Sequence, residues 1–291
     1  MIKLHYPEGM KLHGDNACKY LGFEKYDFTK DRNEPAMFWL YTAEDYKTLA
    51  NHKGKKYVVW HNNDCNGIYE GSMKYIPVML NPNVPINIRE LGKKYAYMLG
   101  IVRGSSITHV CLNHCMEPEL FQLGIYAIHR YIFWGDMTKY KPSEKLTKDC
   151  YMCVNAGRGV EYGEFIFNAL AWKYPDWTFH IFGIEPTVSV YCENVKYYGW
   201  IPEDDMDERT KNFALCLRYN FHDGFPQILC KALLRGQFTF TRLDYDGLTL
   251  QFRDMKELFE RFDEISFKVE NGEINNKMIP EGMINNFDFI R

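Results

Sequence analysis

Residues 213–241 read FALCLRYNFHDGFPQILCKALLRGQFTFT. The opening run, 213–219, is apolar and of the length of a buried strand. A polar loop containing Asp223 and Gly224 follows, and Pro226 then opens a helical stretch to Arg235. Proline suits that first helical position, because its missing N–H would have no intrahelical partner there. Residues 237–242 (QFTFTR) return to a strand pattern. A strand–helix–strand order predicts parallel neighbours, since parallel strands need a long return connection. In such sheets ligands bind beyond the carboxyl ends of the strands.

The same alternation continues outward. Residues 151–155 read as a buried strand, 164–174 as a helix packed through Phe165, Phe167, Ala169, Leu170 and Trp172, and 178–183 (TFHIFG) as a second strand. A third strand over 195–199 ends in glycine, 203–212 is a polar helical stretch, and 254–262 is a further helix. The first half is more broken: strands at 36–41, 56–60 and 108–112, helices at 43–52 and 117–123. Between the halves lies TKYKPSEKLTKD (138–149), polar, Lys-rich and with one proline, which predicts a linker. The expected domains are 1–140 and 141–270, with 271–291 a tail that packs back on the N-terminal domain.

The chain has 291 residues, 46% hydrophobic and 25% charged, the balance of a globular protein with room for two modest α/β domains. Its net charge of −3 advertises no basic field for nucleic acid. The halves differ: residues 1–150 carry 20 Lys+Arg against 16 Asp+Glu (+4), and 151–291 carry 15 against 22 (−7). Nine scattered cysteines and a start without an apolar leader predict free thiols in the cytoplasm. No apolar run reaches the ~20 residues of a membrane span, so any membrane contact is expected to be peripheral.

Two segments carry candidate chemistry. The first is Asn155-Ala-Gly157-Arg158-Gly159, after a strand and before a helix. Glycines let backbone amides approach a phosphate, a helix start adds partial positive charge, and Arg158 grips two oxygens. The same residues also suit a tight turn with a surface arginine. The second is the loop carrying Asp223, whose carboxylate suits sugar hydroxyls and equally suits a plain cap or loop residue. Cys150 and Cys153 form one pair with no second pair at matching spacing, and no metal is expected.

Taken together, the glycine–arginine turn, YPDWTFHIFG (174–183), VKYYGWIPEDD (195–205) and the 213–241 stretch resemble the C-terminal domain of retaining GT-B glycosyltransferases, the glycogen-synthase-like group. The resemblance covers about 151–241. KKYVVWHNNDC (55–65) and SSITHVCLNHCMEPELFQLGI (105–125) are similar to segments of that family's acceptor domain. It implies a GT-B fold, two Rossmann-like domains facing each other across a cleft. It also implies a hexosyltransferase-like enzyme without a cofactor, moving a sugar from a UDP- or GDP-sugar to the hydroxyl of a glycan, lipid, protein or modified DNA base. Charge does not favour the last.

By the same resemblance, Gly157, Arg158 and Gly159 bind the donor diphosphate, and Gly199, Trp200 and Ile201 lie against the base. Asp223, with the amides of Gly224 and Phe225, contacts the donor sugar, and His61 touches the sugar or the acceptor hydroxyl. Tyr197 and Tyr198 are further stacking candidates or core residues. Two departures stand out: Lys231 replaces a ribose-binding glutamate, and Tyr162 replaces a phosphate-binding lysine. The glycine-rich loop expected after the first strand has only Gly9 and Gly14. The donor pocket is therefore rebuilt, with Lys231 reaching a phosphate, or activity is lost and a binding protein remains. Another nucleotide-dependent α/β enzyme, such as an epimerase, is the third reading. The short chain fits a trimmed version of the kind viruses carry.

Overall fold

The computed structural model describes residues 1–155, 157–187, 192–275, 279 and 282–290. Ala156 of the glycine–arginine turn and 276–278, 280, 281 and 291 of the expected tail lie outside the described residues. The chain divides into two compact units. One takes Met1–Asp136, His222–Phe225 and the described part of 281–291; the other takes Met137–Phe221 and the described part of 226–280.

The first unit contains, in chain order, β1 (Lys3–His5), α1 (Lys11–Tyr20), β2 (Glu24–Lys25), β3 (Ala36–Phe38), α2 (Ala43–Asn51), β4 (Lys56–Trp60), α3 (Asn63–Tyr75), α4 (Ile86–Val102), β5 (Ile107–Cys111), α5 (Glu117–Gln122) and β6 (Ala127–His129). Its strands form one parallel sheet in the order β2-β1-β3-β4-β5-β6. Strands β3 and β4 are almost wholly buried, which is why they read as unbroken apolar runs rather than alternating ones. Helix α2 starts where Thr42 and Asp45 form a reciprocal capping box. The chain's last described stretch packs on this unit: Ile284 bridges Tyr131, Asp288 pairs with Arg130 at 2.8 Å, and Phe287 meets Phe23 edge-on.

Helices α3 and α4 have no counterpart in the sequence reading. Their glycines argue against helix by propensity, yet a Cβ at Gly71 would overlap the Tyr95 ring and one at Gly92 would overlap the Tyr75 carbonyl. The glycines let the two helices approach closely, and packing outweighs the roughly 1 kcal/mol each costs in propensity. The first strand, β1, leads directly into a helical turn holding Gly9 and then into α1, so no glycine-rich loop follows it.

The second unit contains β7 (Thr147–Cys153), α6 (Glu164–Lys173), β8 (Thr178–Phe182), β9 (Val195–Tyr197), α7 (Glu203–Thr210), β10 (Phe213–Arg218), α8 (Gln227–Leu234), β11 (Phe238–Thr241), β12 (Leu250–Gln251) and α9 (Met255–Glu270). Its parallel sheet runs β12-β11-β10-β7-β8-β9. The linker expected over 138–149 is shorter than predicted, because Thr147–Asp149 already pair with Phe213 and Thr178 as part of β7. Helix α9 runs eight residues past its expected end at Phe262. Ile265 and Val269 continue its buried face within the core cluster that holds Phe179, Phe240 and Trp177. Burying each such side chain contributes about 1.5–3 kcal/mol. All nine cysteines are free thiols, and among the described residues no helix is long and apolar enough to cross a membrane.

Candidate functional site

In the first unit the candidate residues gather after β4. His61 follows its last residue, and Asp64 fixes the turn by accepting the backbone amides of His61 (3.0 Å), Asn62 (3.0 Å) and Cys65 (2.8 Å). The His61 ring is 92% buried among Trp39 (centroids 4.7 Å apart), Trp134 (5.7 Å) and Tyr41 (5.9 Å). Neither ring nitrogen has a hydrogen-bond partner; the Asp64 Oδ2 oxygen stands 3.6 Å from Nδ1. A buried polar atom left unpaired costs about 1–3 kcal/mol, and both nitrogens of this ring are of that kind.

The Asp223 loop belongs to the same unit. Asn62 Nδ2 donates to the His222 carbonyl at 3.3 Å, and Asn62 Oδ1 meets His222 Nδ1. On the other side of the ring, His222 Nε2 lies 2.9 Å from Glu119 Oε2. The Cys115 thiol donates to the Asp223 carbonyl at 3.3 Å, and Phe225 packs on Tyr131. Asp223 is 94% buried and accepts the Gly224 amide at 3.0 Å. Gly224 is required by close approach, since a Cβ there would overlap the His61 carbonyl. The structure thus brings His61, Asp223 and Gly224 together. Burial, with the carboxylates of Asp64 and Asp223, pushes the neighbouring Tyr41 hydroxyl far above its ordinary range, so it stays a neutral donor.

In the second unit the glycine–arginine turn lies at the carboxyl end of β7. The Arg158 amide donates to the Asn155 carbonyl (3.1 Å), and its guanidinium pairs with the exposed Glu161 at 2.6 Å. Glu164, the first residue of α6, is fully buried. It accepts the Thr187 amide (2.8 Å), the Thr187 hydroxyl and the Tyr197 hydroxyl (2.7 Å). A carboxylate is therefore already seated at the positive end of that helix. Tyr162, at the position of the expected lysine, is buried, and its hydroxyl accepts from Asn155 Nδ2 at 3.0 Å.

Arg218, the last residue of β10, reaches the same place. Its guanidinium carbon is 4.5 Å from the Tyr162 ring centre, that of Arg158 is 5.5 Å from it, and Arg218 Nη1 donates to the Cys153 carbonyl at 3.2 Å. The sequence reading missed Arg218. The signal available was its place at the carboxyl end of a strand, where ligands of parallel sheets bind. His222 and Glu119, which hold the Asp223 loop, were missed because their partners lie over 100 residues away.

Of the base-side candidates, Gly199 is left-handed (φ 58°), and its carbonyl accepts the Gly183 amide at 2.6 Å. Trp200 is 81% exposed and Ile201 half-buried. Tyr197 is engaged with Glu164, and Tyr198 stacks on Phe182 and His180, so Trp200 alone of the three aromatics presents an open face. Lys231 lies among the carboxylates of α7. Its ammonium is 97% buried, paired with Glu203 and, at 3.0 Å, with Asp207. Asp207 also accepts the Tyr140 hydroxyl (2.8 Å) and pairs with Arg235 at 3.3 Å.

No family model and no curated protein sequence matches the chain. Solved structures match in shape. HepE of Anabaena in complex with UDP aligns at a TM-score of 0.56, 12% identity, over 91% of this chain and 76% of that one. Sucrose-phosphate synthase of Thermosynechococcus elongatus gives 0.55 and 12% over 83% and 66%, and TarM 0.53 and 13% over 83% and 49%. The chain thus spans about half the length of TarM and two thirds of the synthase. At such identities the likeness shows the fold alone: the two parallel six-stranded sheets with their helices are the GT-B fold.

Proposed function

We propose that the chain is a glycosyltransferase that moves a sugar from a UDP- or GDP-sugar to an acceptor hydroxyl, with retention at the anomeric carbon and without a metal. The observation that carries this reading is the Gly157-Arg158-Gly159 turn at the carboxyl end of β7, in a chain with the GT-B fold. A neighbour of the same fold, HepE, has been solved with UDP and with UDP-glucose, which supports a nucleotide-sugar donor. In this reading Arg158 binds the diphosphate, Trp200 with Gly199 and Ile201 takes the base, and Asp223 and Gly224 contact the donor sugar. The orphaned nitrogens of His61 supply a hydrogen bond to the sugar.

The bond from the anomeric carbon to the diphosphate oxygen breaks, a bond to the acceptor oxygen forms, and the acceptor proton leaves on the departing diphosphate. No side chain acts as nucleophile, so the rate comes from positioning and from stabilising charge on the leaving group. Arg158→Ala and Asp223→Asn are each expected to abolish transfer, measured as nucleoside diphosphate released with an acceptor panel, while circular dichroism stays unchanged. Wild-type rates in either variant sink the assignment. A second reading, a binding protein that no longer transfers sugar, is favoured by Tyr162 in place of a lysine and by the engaged Lys231. Nucleotide binding without turnover of any sugar nucleotide would select it.

A further inference from the structure

We propose that the tip of the α3–α4 hairpin docks on an anionic lipid surface. The inference goes beyond the donor-site reading and does not depend on it. Residues 75–88, YIPVMLNPNVPINI, hold no charged side chain. They leave α3 through a helical turn (Ile76–Val78), reverse, and enter α4. Leu80 is 81% and Ile86 69% exposed, and Met73, near the end of α3, is exposed as well. Single exposed apolar side chains are ordinary, but an uncharged turn that exposes several marks a contact surface. The backbone of this turn also suits an apolar setting, where an unpaired N–H is costly. The amides of Met79, Asn81 and Val84 donate to the carbonyls of Ile76, Val78 and Asn81, and that of Asn83 to Asn81 Oδ1. Positions 77, 82 and 85 are prolines, which have no N–H to satisfy.

The flanking charges decide between occupants. From Gly71 to Arg103 the chain carries five cations (Lys74, Arg89, Lys93, Lys94 and Arg103) and one acid, Glu90, a local +4 in a chain of net −3. Lys74, Lys93 and Lys94 are exposed. Lys74 lies 5.2 Å from the Tyr75 ring centre, and Lys93 meets Glu90 at 2.7 Å in an exposed pair of the weak kind, which a lipid phosphate can replace. Along α4, Lys93 and Tyr97 share the Ile86 face at i+7 and i+11. Tyr97 is exposed, and its apolar ring with a polar end suits the depth of lipid headgroups. The Tyr75 and Tyr95 rings stack at 5.8 Å, so the two helices hold the tip in place. Aliphatic side chains that enter the acyl boundary, rimmed by lysines that meet phosphates, are the two components of peripheral lipid binding. A second copy of the chain would set lysines against lysines. A nucleic acid would take the lysines and leave Leu80 and Ile86 without a partner.

The test is co-sedimentation of the full chain with vesicles of phosphatidylcholine alone and of phosphatidylcholine with about one third phosphatidylglycerol. Two double variants are compared with wild type: Leu80→Ser with Ile86→Ser, and Lys93→Gln with Lys94→Gln. All four side chains are exposed, so both variants should melt with wild type. Wild type is expected to sediment with the anionic vesicles, less so at high salt, and little with phosphatidylcholine alone. Losing two lysines should weaken binding roughly 25-fold, at about fivefold each, and losing the two apolar side chains on the order of tenfold or more. Wild type that stays in the supernatant, or unchanged binding in either double variant, overturns the proposal. So does a dimer, seen by light scattering, that the serine pair dissolves, because a second copy then covers the tip. Binding of a DNA duplex that needs the lysines but not Leu80 and Ile86, with no binding to vesicles, assigns the rim to nucleic acid and overturns it equally.

Discussion

Replacing Lys231 by glutamate would restore the residue type that the family resemblance leads one to expect, and the surroundings make that substitution unfavourable. The ammonium stands 3.0 and 3.1 Å from the two oxygens of Asp207 and against Glu203, with its own side chain only 3% exposed. Removing one partner of a buried ion pair costs about 3–5 kcal/mol, because the remaining charge stays desolvated. Glutamate at this place adds repulsion to that loss, setting a third carboxylate beside two. Arg235, 3.3 Å from Asp207, offsets only part of it. For a unit of this size about 4 kcal/mol corresponds to a fall of roughly 10 °C or more in melting temperature.

Scanning calorimetry of Lys231→Glu should therefore show the second unit melting roughly 10 °C or more below wild type. The swap Glu203→Lys with Lys231→Glu restores one cation among the carboxylates and should recover most of the loss. A single variant that melts with wild type would refute the reasoning, as would a double variant no better than the single one. Lost activity in Lys231→Glu is thus read first as lost folding.

Two further outcomes follow from the structure. His109 is buried between the Trp60 indole N–H, which it accepts at 3.2 Å, and the Val102 carbonyl at 2.9 Å, and burial pushes its pKa from the ordinary 6.5 down to about 4. The unfolded chain takes up a proton below pH 6.5 that the folded one refuses, so stability present above that pH is lost as pH falls toward 4. The loss is about 2 kcal/mol by ~pH 5; urea melts at ~pH 7.5 and ~pH 5 should show it in wild type and not in His109→Gln, and equal slopes would contradict it. Trp200, at 81% exposure, contributes little to the core. Trp200→Ala should leave the melting temperature within a degree or two and weaken UDP about tenfold, by the loss of one stacked base. Unchanged affinity removes Trp200 from the site.

The second sheet was legible because its strands are buried on both faces and its helices are short, so apolar runs and turns alternate cleanly from β7 to β11. The first half was less so. Strands of two or three residues such as β1, β2 and β6 carry no periodic signal, and in α3 and α4 glycines serve packing at the expense of propensity. The same distinction governs the site. Gly157, Arg158 and Asp223 stand in short local patterns, whereas Lys231 and Arg218 take their meaning from partners 24 to 65 residues distant. A charge reversal read along the chain looked like a lost ligand or a new phosphate contact. In three dimensions it is a balanced pair, because α7 supplies Glu203 and Asp207 where α8 supplies the lysine. Substitution of a tyrosine for a lysine looked like a lost cation, and the end of β10 places a guanidinium over that tyrosine's ring. In both places the neighbouring charges lie on other elements of the same unit. Position-by-position comparison along the chain therefore misses partners that only the packing of α7 on α8 and of β10 beside β7 brings into reach.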